Sequence, residues 1–283
     1  MNIIETQELC YSYQDEEPAL DHVSIGIQKG KFTGILGGNG AGKSTLFLNL
    51  NGVLVPKSGD VFFDGKKVDY DKKSVSEMRR RVGIVFQDPN DQLFSASVKK
   101  DISFGAFNLG LDESEARRRV DEAILQAGIE ELADKPTHAL SFGQKKRVAI
   151  AGILVMRPDV IILDEPTAGL DPAGVSDILK LLADIKDKNK VSIVIATHDM
   201  DIVPLYCDYA YVMDHGKIAA SGYIKELFSD AEVLRKHSLR LPRIAHLMQV
   251  MNHKDGLDLD ESAGTISTAR KTILQLFLPK EDG

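Results

Sequence analysis

Apolar and polar positions in the first part of the chain predict short strands around one helix. Apolar residues alternate with polar ones over Val23–Ile27, which is typical of a half-exposed strand. The continuous apolar segment Phe32–Leu36 predicts a buried strand that ends at a glycine cluster. Ser44–Leu50 then has helical character. Val61–Phe63 and Val82–Phe86 are two further predicted strands, separated by turns of Gly, Asp and Lys.

A helical insert is predicted to begin at Asp112, where the spacing of apolar residues changes. Asp112 and Glu115 have the spacing of a capping box, and Gly128 supplies a stop signal. The apolar residues between them fall at helical intervals: Val120, Ala123, Ile124 and Ala127.

Strands and helices alternate in the next segment. Val160–Leu163 is a continuous apolar run, as expected of a strand covered on both faces. Asp171 can cap a helix with Pro172 as its first residue, and a second apolar strand is predicted at Val191–Ala196. The predicted buried stripe of that helix is Val175, Ile178, Leu179, Leu182 and Ile185. This alternation predicts right-handed crossovers in a doubly wound parallel sheet, an α/β fold.

The pattern changes again after about Phe228, where a small C-terminal appendage is predicted. A polar break at Ser262–Thr265 separates a helical-looking stretch from a second apolar segment, Ile266–Leu278. The apolar residues of the first stretch are Leu239, Leu241, Ile244, Leu247, Met248 and Met251.

Composition narrows the function classes. The 283 residues include 35 Lys and Arg against 42 Asp and Glu, a net charge of -7, which argues against nucleic acid as the main partner. Because no apolar stretch approaches the roughly 20 residues of a membrane span and the N-terminus does not resemble a signal peptide, we expect a cytosolic protein. Cys10 and Cys207 have no metal-ligand spacing and are expected to be reduced thiols.

A phosphate-binding loop follows the buried strand. The segment Gly37-Gly38-Asn39-Gly40-Ala41-Gly42-Lys43-Ser44 has the spacing Gly, four residues, Gly-Lys-Ser. Small residues let the backbone wrap a phosphate, which successive N–H groups and the start of the next helix stabilise. Lys43 is expected to reach the outer phosphates and Ser44 to ligate Mg²⁺. The alternative is a glycine-rich turn without a ligand.

Two carboxylates end the strand in Ile161-Ile162-Leu163-Asp164-Glu165. An Asp at the end of a buried strand can hold Mg²⁺ through water, and a neighbouring carboxylate can polarise an attacking water. Asp164 is expected to take the first role and Glu165 the second. Two acids after an apolar run are in general more often a strand cap or a solvated turn, and the phosphate loop reverses that preference.

A second anion site is predicted at Leu140-Ser141-Phe142-Gly143-Gln144, just ahead of a helix. Ser141 and the first N–H groups of that helix can bind a terminal phosphate. Without the other motifs, Ser141 would be interpreted as an ordinary N-cap and Phe142 as a packing residue.

Together these motifs resemble the ABC ATPases over roughly Ile3 to Glu226. Gly37–Ser44 is similar to the Walker A loop, Ile161–Glu165 to the Walker B strand, and Leu140–Gln144 to the family signature. The resemblance implies a P-loop fold with a RecA-like parallel-sheet core, an antiparallel β subdomain, a helical signature subdomain and a small α-rich appendage. The implied boundaries are 1–228 for the ATPase domain, about 90–158 for its helical subdomain, and 229–283 for the appendage.

The resemblance also implies roles for single residues. Tyr13 occupies the place of the aromatic that stacks on adenine, and Gln87 lies in the loop that links Mg²⁺ to the transporter contact. Ala168–Asp171 corresponds to the loop that crosses the dimer interface, and His198 to the switch histidine. Each has a plain alternative as a strand aromatic, a strand end or a helix start. The implied catalytic residues are Glu165, His198 and Gln87, and the implied ligands of the metal are Ser44, Gln87 and Asp164. The implied ATP-binding residues are Tyr13, Gly37, Gly38, Asn39, Gly40, Ala41, Gly42, Lys43, Ser44, Thr45, Ser141, Gly143 and Gln144.

Two positions depart from the family pattern. Phe142 stands where glycine is usual, and Gly38 where proline is common. Because the phosphate-facing glycines and the serine are kept, neither departure undermines ATP binding.

The family resemblance further implies partners. The signature of one subunit completes the nucleotide site of another, so a second ATPase subunit, an identical copy or a paralogue, is expected. The segment Phe86–Phe94 with Asp101–Gly105 is similar to energy-coupling factor importers, which implies a transmembrane coupling subunit, a substrate-binding membrane subunit, and a place on the cytoplasmic face of the membrane. Leu239–Ile244 resembles the CbiO type of cobalt importers, in which the appendage helps to pair the ATPases. The alternative is that Leu239–Met251 is a helix packed on its own domain.

Other functions stay open at this point. Cobalt leaves no mark on these residues: the seven histidines are scattered without metal-site spacing, as expected if a different membrane subunit chooses the ion. Nickel or a vitamin is therefore an alternative cargo. A non-transport ABC protein of translation or DNA repair is disfavoured by the single cassette and the lack of sustained heptads. A P-loop kinase or GTPase is disfavoured by the signature at Leu140–Gln144.

Overall fold

The strands belong to two sheets, which we describe from a computed structural model over residues 1–14 and 17–277. In chain order the strands are β1 (Asn2–Tyr11), β2 (Leu20–Val23), β3 (Gly26–Gln28), β4 (Phe32–Leu36), β5 (Ser58–Phe63), β6 (Lys66–Lys67), β7 (Val82–Val85), β8 (Val160–Asp164), β9 (Ser192–Thr197), β10 (Tyr209–Asp214) and β11 (Lys217–Tyr223).

The helices flank these sheets. They are α1 (Lys43–Leu50), α2 (Lys72–Arg81), α3 (Val98–Asn108), α4 (Glu113–Ala127), α5 (Phe142–Leu154), α6 (Pro172–Asn189), α7 (Val203–Tyr206), α8 (Ile224–Ser229), α9 (Ala231–Lys236), α10 (Arg243–Asp255) and α11 (Ile266–Gln275). Across residues 1–14 and 17–277, none of the helices combines the length and apolar character needed to span a bilayer.

The larger sheet has six strands in the order β11-β10-β4-β9-β8-β7. All neighbours are parallel except β10 and β11, which pair antiparallel. The parallel strands β4, β7, β8 and β9 therefore end at the same edge, which is where ligands bind in open α/β sheets. This arrangement confirms the predicted doubly wound sheet.

The smaller sheet is antiparallel, with the order β2-β1-β5-β6 and β3 also paired to β1. The prediction of one strand over Val23–Ile27 is wrong, because the chain forms two short strands interrupted at Ser24 and Ile25. The buried hydroxyl of Thr6 occupies the interruption: it donates to the Val23 carbonyl at 2.9 Å and accepts from the Ile25 N–H at 3.0 Å. Alternation alone could not reveal a side chain inserted from another strand.

Helices α2 and α3 are among those that the hydrophobic pattern did not indicate. Helix α2 replaces part of the turn region predicted between Phe63 and Val82; its N-cap Asp71 accepts from the Ser74 N–H at 2.6 Å, and Met78 is its buried residue. The segment is mostly charged, and its two apolar residues, Val75 and Met78, are too few to indicate a helix on their own. Helix α3 begins at Val98, ahead of the insert predicted from Asp112.

Helix α4 has the predicted bounds but only half of the predicted capping box. Asp112 accepts from the Glu115 N–H at 2.9 Å, and Gly128 ends the helix in the left-handed region. The Glu115 carboxylate pairs instead with Arg118 and Arg119, which lie on its own helix face. These ion pairs with residues one helical turn later compete with the second bond of a capping box, in which the Glu115 side chain would accept from the Asp112 N–H.

A glycine allows helix α5 to lie directly on strand β7. A Cβ at Gly83 would clash with the Ile153 side chain of α5. We expect Gly83→Ala to lower the free energy of unfolding by about 1–3 kcal/mol, because an added methyl forces the helix away from the sheet. Gly152→Ala, on the same helix with open space around it, should instead be neutral or stabilising by about 0.5–1 kcal/mol. Urea unfolding of both variants measures the difference; equal stabilities would contradict this packing.

The C-terminal segment joins two different apolar clusters. Leu234, Leu239, Leu241 and Ala245 share a cluster with residues of the central sheet, including Val212 of β10. A separate small cluster comprises Met248, Leu259, Ala263 and Ala269, with Ile244, Met251, Leu257 and Ile273 packed against it. Leu278, the end of the predicted second stretch, lies outside the described residues.

Candidate active site

The phosphate loop lies between β4 and α1, at the carboxyl edge of the sheet. Gly42 has φ +99°, and a Cβ there would lie 2.5 Å from the Ala19 carbonyl oxygen, so both backbone conformation and space require glycine. The loop lines a cleft of about 230 Å³ together with residues from two other strand ends. The described residues around this cleft are Ala19, Asn39, Gly40, Ala41, Gly42, Lys43, Ser44, Thr45, Gln87, Asp164 and Glu165.

Lys43 is the buried cation of the cleft. Its Nζ donates to the carbonyl oxygens of Gly37 at 2.7 Å and Gly38 at 2.9 Å. Burial lowers the pKa of Lys43, and the carboxylates of Glu165 and Asp164 oppose that shift. The ammonium is thus next to both acids that the sequence singles out.

The acidic residues enter the cleft from the end of β8. Ser44 Oγ donates to Asp164 Oδ2 at 2.5 Å, across 120 positions of sequence. Glu165 is only 6% exposed. Its Oε1 lies 2.8 Å from Nδ1 of His198, the residue that follows β9. In this hydrogen bond an ionised carboxylate accepts and the His198 Nδ1–H donates.

Two further predicted residues lie at the rim. Gln87, just after β7, lines this cleft and an adjoining cavity of about 520 Å³. Tyr13 is part-exposed, and its hydroxyl lies 3.3 Å from Thr45 Oγ1. The ring of Tyr13 also meets that of Tyr11 edge to face, with centroids 5.0 Å apart. These contacts put an aromatic face near the start of α1.

The signature residues lead into α5, and Ser141 is exposed at its tip. Ser141 is the N-cap and accepts from the Gln144 N–H at 3.3 Å, while the Gln144 side chain accepts from the Ser141 N–H at 2.9 Å. This is a full capping box. Ser141, Gly143 and Gln144 are not among the described residues that line the cleft. The structure therefore brings together the predicted ATP-binding residues of the loop and strands, and leaves the signature outside.

Both departures from the family pattern have room. The Phe142 ring packs over Gly169, where an added Cβ would lie 2.9 Å from the ring. A Cβ at Gly38 would meet nothing within 4 Å. Neither residue obstructs the cleft.

Sequence reasoning missed two residues of the site. Ala19 limits the space above Gly42 with its carbonyl oxygen, and Lys146 of α5 is buried against the Glu165 backbone. The sequence could not reveal the role of Ala19, because every residue has a backbone carbonyl. Lys146 falls on the same helix face as Phe142, which lies one turn earlier. It stands between Lys145 and Arg147, so its residue type did not distinguish it from its neighbours.

The cysteines are free, as predicted. Burial raises the pKa of Cys207 to about 12, so it stays a thiol. Cys10 lies beside Asp21 and His22, with their ligand atoms within 4.8 Å of one another, a grouping that linear spacing did not reveal. Asp21 already pairs with Lys217 at 2.9 Å, and His22 is exposed.

Comparison with known proteins agrees with this geometry. The family described as "ABC transporter" matches residues 20–168, and the family described as "AAA domain, putative AbiEii toxin, Type IV TA system" matches residues 134–203. The chain is 58% identical to the energy-coupling factor transporter ATP-binding protein EcfA3 of Clostridium perfringens over 271 residues, 96% of this chain and 95% of that protein.

Two solved structures extend the comparison. The structure of cbiO1 from Clostridium perfringens, described as part of the ABC transporter complex cbiONQ, is similar with a TM-score of 0.77 and 58% identity, covering 88% of this chain and 99% of that one. A dimeric ATP-binding cassette in a post-hydrolysis state, bound to ADP and Pi, is similar with a TM-score of 0.69 and 27% identity, covering 78% and 98%.

The chain belongs to the ABC transporter family, and the fold and cleft are those of a P-loop ABC ATPase that binds ATP. Within that family it is an ATP-binding subunit of the energy-coupling factor transporters, similar to the CbiO type.

Proposed function

We propose that this chain powers an importer of cobalt ions by working as one half of a pair of ATPases on the cytoplasmic face of the membrane. The observation that carries the proposal is the convergence of Lys43, Ser44, Asp164 and Glu165 on one cleft. The resemblance to the CbiO type and the similarity to cbiO1 support cobalt as the cargo. Nickel or a vitamin is the alternative.

In this proposal the triphosphate lies on the glycine loop at the start of α1. The loop N–H groups and the helix N-terminus favour negative charge there, and Lys43 neutralises the outer phosphates. Glu165 orients and polarises the attacking water, since its carboxylate is buried, fixed and next to the phosphate site. His198, hydrogen-bonded to Glu165, contacts the terminal phosphate and responds to its loss.

Ser44, Gln87 and Asp164 would hold Mg²⁺. The fit rests on their chemistry: hydroxyl, amide and carboxylate oxygens are the donors that Mg²⁺ prefers. Ser44 and Asp164 already contact each other at 2.5 Å, and Gln87 lines the same cleft. When bound, the ion neutralises charge that develops on the phosphates.

The proposed pair closes through the signature tip. Ser141 and the first N–H groups of α5 form an exposed anion-binding end that its own cleft does not use. A similar cassette is dimeric with ADP and Pi, which supports a paired state. Moving such a pair from about 1% to 99% closed requires ATP to favour the closed form by roughly 5.5 kcal/mol. Charge-assisted hydrogen bonds to phosphate across the interface can supply this free-energy preference.

We further propose that residues 1–228 are the ATPase domain, with a helical subdomain at about 90–158, and that the appendage 229–283 helps the two ATPases to pair. Helix α11 and the residues after it carry exposed apolar side chains: Ile266, Leu274, Leu276 and Phe277. A second ATPase subunit is the occupant we assign to this surface.

An aromatic surface next to Gln87 is the proposed contact for the transmembrane coupling subunit. Phe94 and Phe104 are 66% and 49% exposed and meet edge to face with ring centroids 4.9 Å apart. The Asp101 carboxylate accepts from the N–H groups of Phe94 at 3.0 Å and Ser95 at 2.7 Å, which fixes the loop under the rings. Lys145 of α5 donates to Asn90 at 2.7 Å, so the same segment is tied to the signature helix.

Phe94→Asp is expected to abolish co-purification with the membrane subunits, because it puts a charge where an apolar helix would dock. ATP binding by the purified subunit should be unchanged. Leu125→Asp, an equally exposed apolar residue of α4, serves as the control and should co-purify normally. Loss of binding in both variants, or in neither, would count against this surface.

Isolation of the whole assembly from membranes tests the proposed function itself. We expect mass spectrometry to identify a second ATPase, a coupling subunit and a substrate-binding subunit, and metal analysis to find cobalt. Nickel or a vitamin in that preparation would reassign the cargo. ATPase activity that rises with the first power of protein concentration would contradict the working pair.

A further inference from the structure

Lys146 is a buried cation that the proposed roles do not use. Its side chain lies under the first turns of α5 and is only 2% exposed. Burial lowers the pKa of Lys146 to about 8, while the carboxylates of Glu165, Asp88 and Asp164 favour its charged form. A buried ammonium is costly unless it is hydrogen-bonded.

Both hydrogen bonds go to the backbone that carries Glu165. Lys146 Nζ donates to the carbonyl oxygens of Glu165 at 3.0 Å and Pro166 at 2.9 Å. The Glu165 carbonyl also accepts from the Ala168 N–H at 3.1 Å, and the Glu165 N–H donates to Ala196 at 3.1 Å. The turn that aims the Glu165 side chain into the cleft is therefore held from three directions.

The turn needs such support because its backbone is strained. Glu165 has φ +46°, a region that residues other than glycine seldom occupy. A conformation of this kind is unfavourable by itself and persists only where the surroundings enforce it.

A second contact ties the same turn to the tip of α5. The Phe142 ring packs on Gly169, three residues beyond Pro166, and lies 5.3 Å from Lys146 Nζ. Phe142 and Lys146 are one helical turn apart and share a face. Phe142 and Lys146 therefore both contact the loop that runs from Glu165 to Gly169.

We propose that Lys146 is a positioning residue for hydrolysis, which holds the Glu165–Pro166 backbone to the signature helix so that the helix tip and Glu165 move together. Docking of the Ser141 tip on the partner's nucleotide then sets the position of Glu165 in this chain's own cleft. The inference rests on the proposed roles of Ser141 and Glu165, and it links the two nucleotide sites of the pair.

Lys146→Met tests the link by removing the ammonium while keeping an apolar chain of similar length. We expect kcat to fall about 10- to 100-fold, since small misplacements of a catalytic group cost up to that factor. KM and ATP affinity should stay within about twofold, because Lys146 hydrogen-bonds to the backbone of Glu165 and is not among the described residues that line the cleft. Lys146→Gln, which keeps an uncharged donor, should recover part of the loss.

Arg147→Met is the matched control. Arg147 is the next residue of α5 and also donates to a backbone carbonyl, that of Ala127 at 2.8 Å, but on the side of α4. It should lower the unfolding temperature and leave kcat of the folded protein unchanged. Wild-type kcat in Lys146→Met, or equal kcat losses in Lys146→Met and Arg147→Met, would overturn the proposal.

Hydrogen exchange provides a second test that does not depend on the folding of Lys146→Met. In Glu165→Gln protein titrated with ATP, we expect the peptide over 164–170 to gain protection together with the start of α5. Protection of the helix tip alone would refute the link. Failure of the underlying role of Glu165 is distinguishable, because it would show as normal turnover in Glu165→Gln itself.

Discussion

Glu165→Gln is expected to bind ATP, to stall as a closed pair and to lose turnover by about 10²–10⁴-fold, the range that a positioned general base contributes. Glutamine keeps the shape and one oxygen of the side chain, so the hydrogen bond to His198 can persist. It cannot accept a proton from the attacking water. The nucleotide therefore stays intact, and the contacts that close the pair are not released.

Size-exclusion chromatography with ATP and Mg²⁺, together with single-turnover hydrolysis, measures both parts of this result. Glu113→Gln, on the exposed face of α4 where Glu113 pairs with Arg117, is the control and should behave as wild type. Wild-type turnover in Glu165→Gln would refute the role assigned to this carboxylate.

Lys43→Ala is expected to weaken ATP binding by about 30-fold or more, because truncating one member of a buried charged pair costs about 2–5 kcal/mol. The variant removes the cation that we assign to the outer phosphates and leaves Asp164 and Glu165 without their positive neighbour. The same two carboxylates favour the charged form of Lys43 in the wild-type protein. Repulsion between them and the phosphates should add to the loss.

Titration with a fluorescent nucleotide and with ADP separates the two effects, since ADP lacks the terminal phosphate and should be less affected. Lys31→Ala is the control: Lys31 pairs with Asp208 at 3.1 Å at the amino end of β4, the opposite end of the strand from the phosphate loop. Unchanged ATP affinity in Lys43→Ala would mean that the loop assignment is mistaken.

Strands and helices with a strong local pattern were predictable from the sequence. Phe32–Leu36 and Val160–Leu163 are buried on both faces, so their apolar runs signal strands directly. Helix α4 has its cap, its stripe and its stop within one continuous segment. Helix α2 was missed because its segment is mostly charged and contains only two apolar residues, Val75 and Met78. The split between β2 and β3 depends on a threonine from β1, which no local pattern contains.

The sequence predicted the individual residues of the candidate site but not which of them contact one another. The glycine loop, Asp164, Glu165 and Ser141 each stand in a motif whose residue types and order are characteristic, and the structure gathers all but the signature around one cleft. Lys146 was overlooked because its function depends on which backbone carbonyls it meets, and those lie on a strand end 19 positions further on.

The sequence by itself determined the motifs on which the proposed chemistry rests: a glycine loop, a hydroxyl and a carboxylate that we assign to Mg²⁺, a second carboxylate that we assign to water, and a serine-capped helix. These follow from local residue types and spacing, because N–H groups, capping side chains and apolar runs act over a few residues. Only the tertiary structure decided which of them meet. Ser44 reaches Asp164 across 120 positions, and Lys146 grips the turn of Glu165, because the parallel sheet brings distant strand ends to one edge and lays α5 against them.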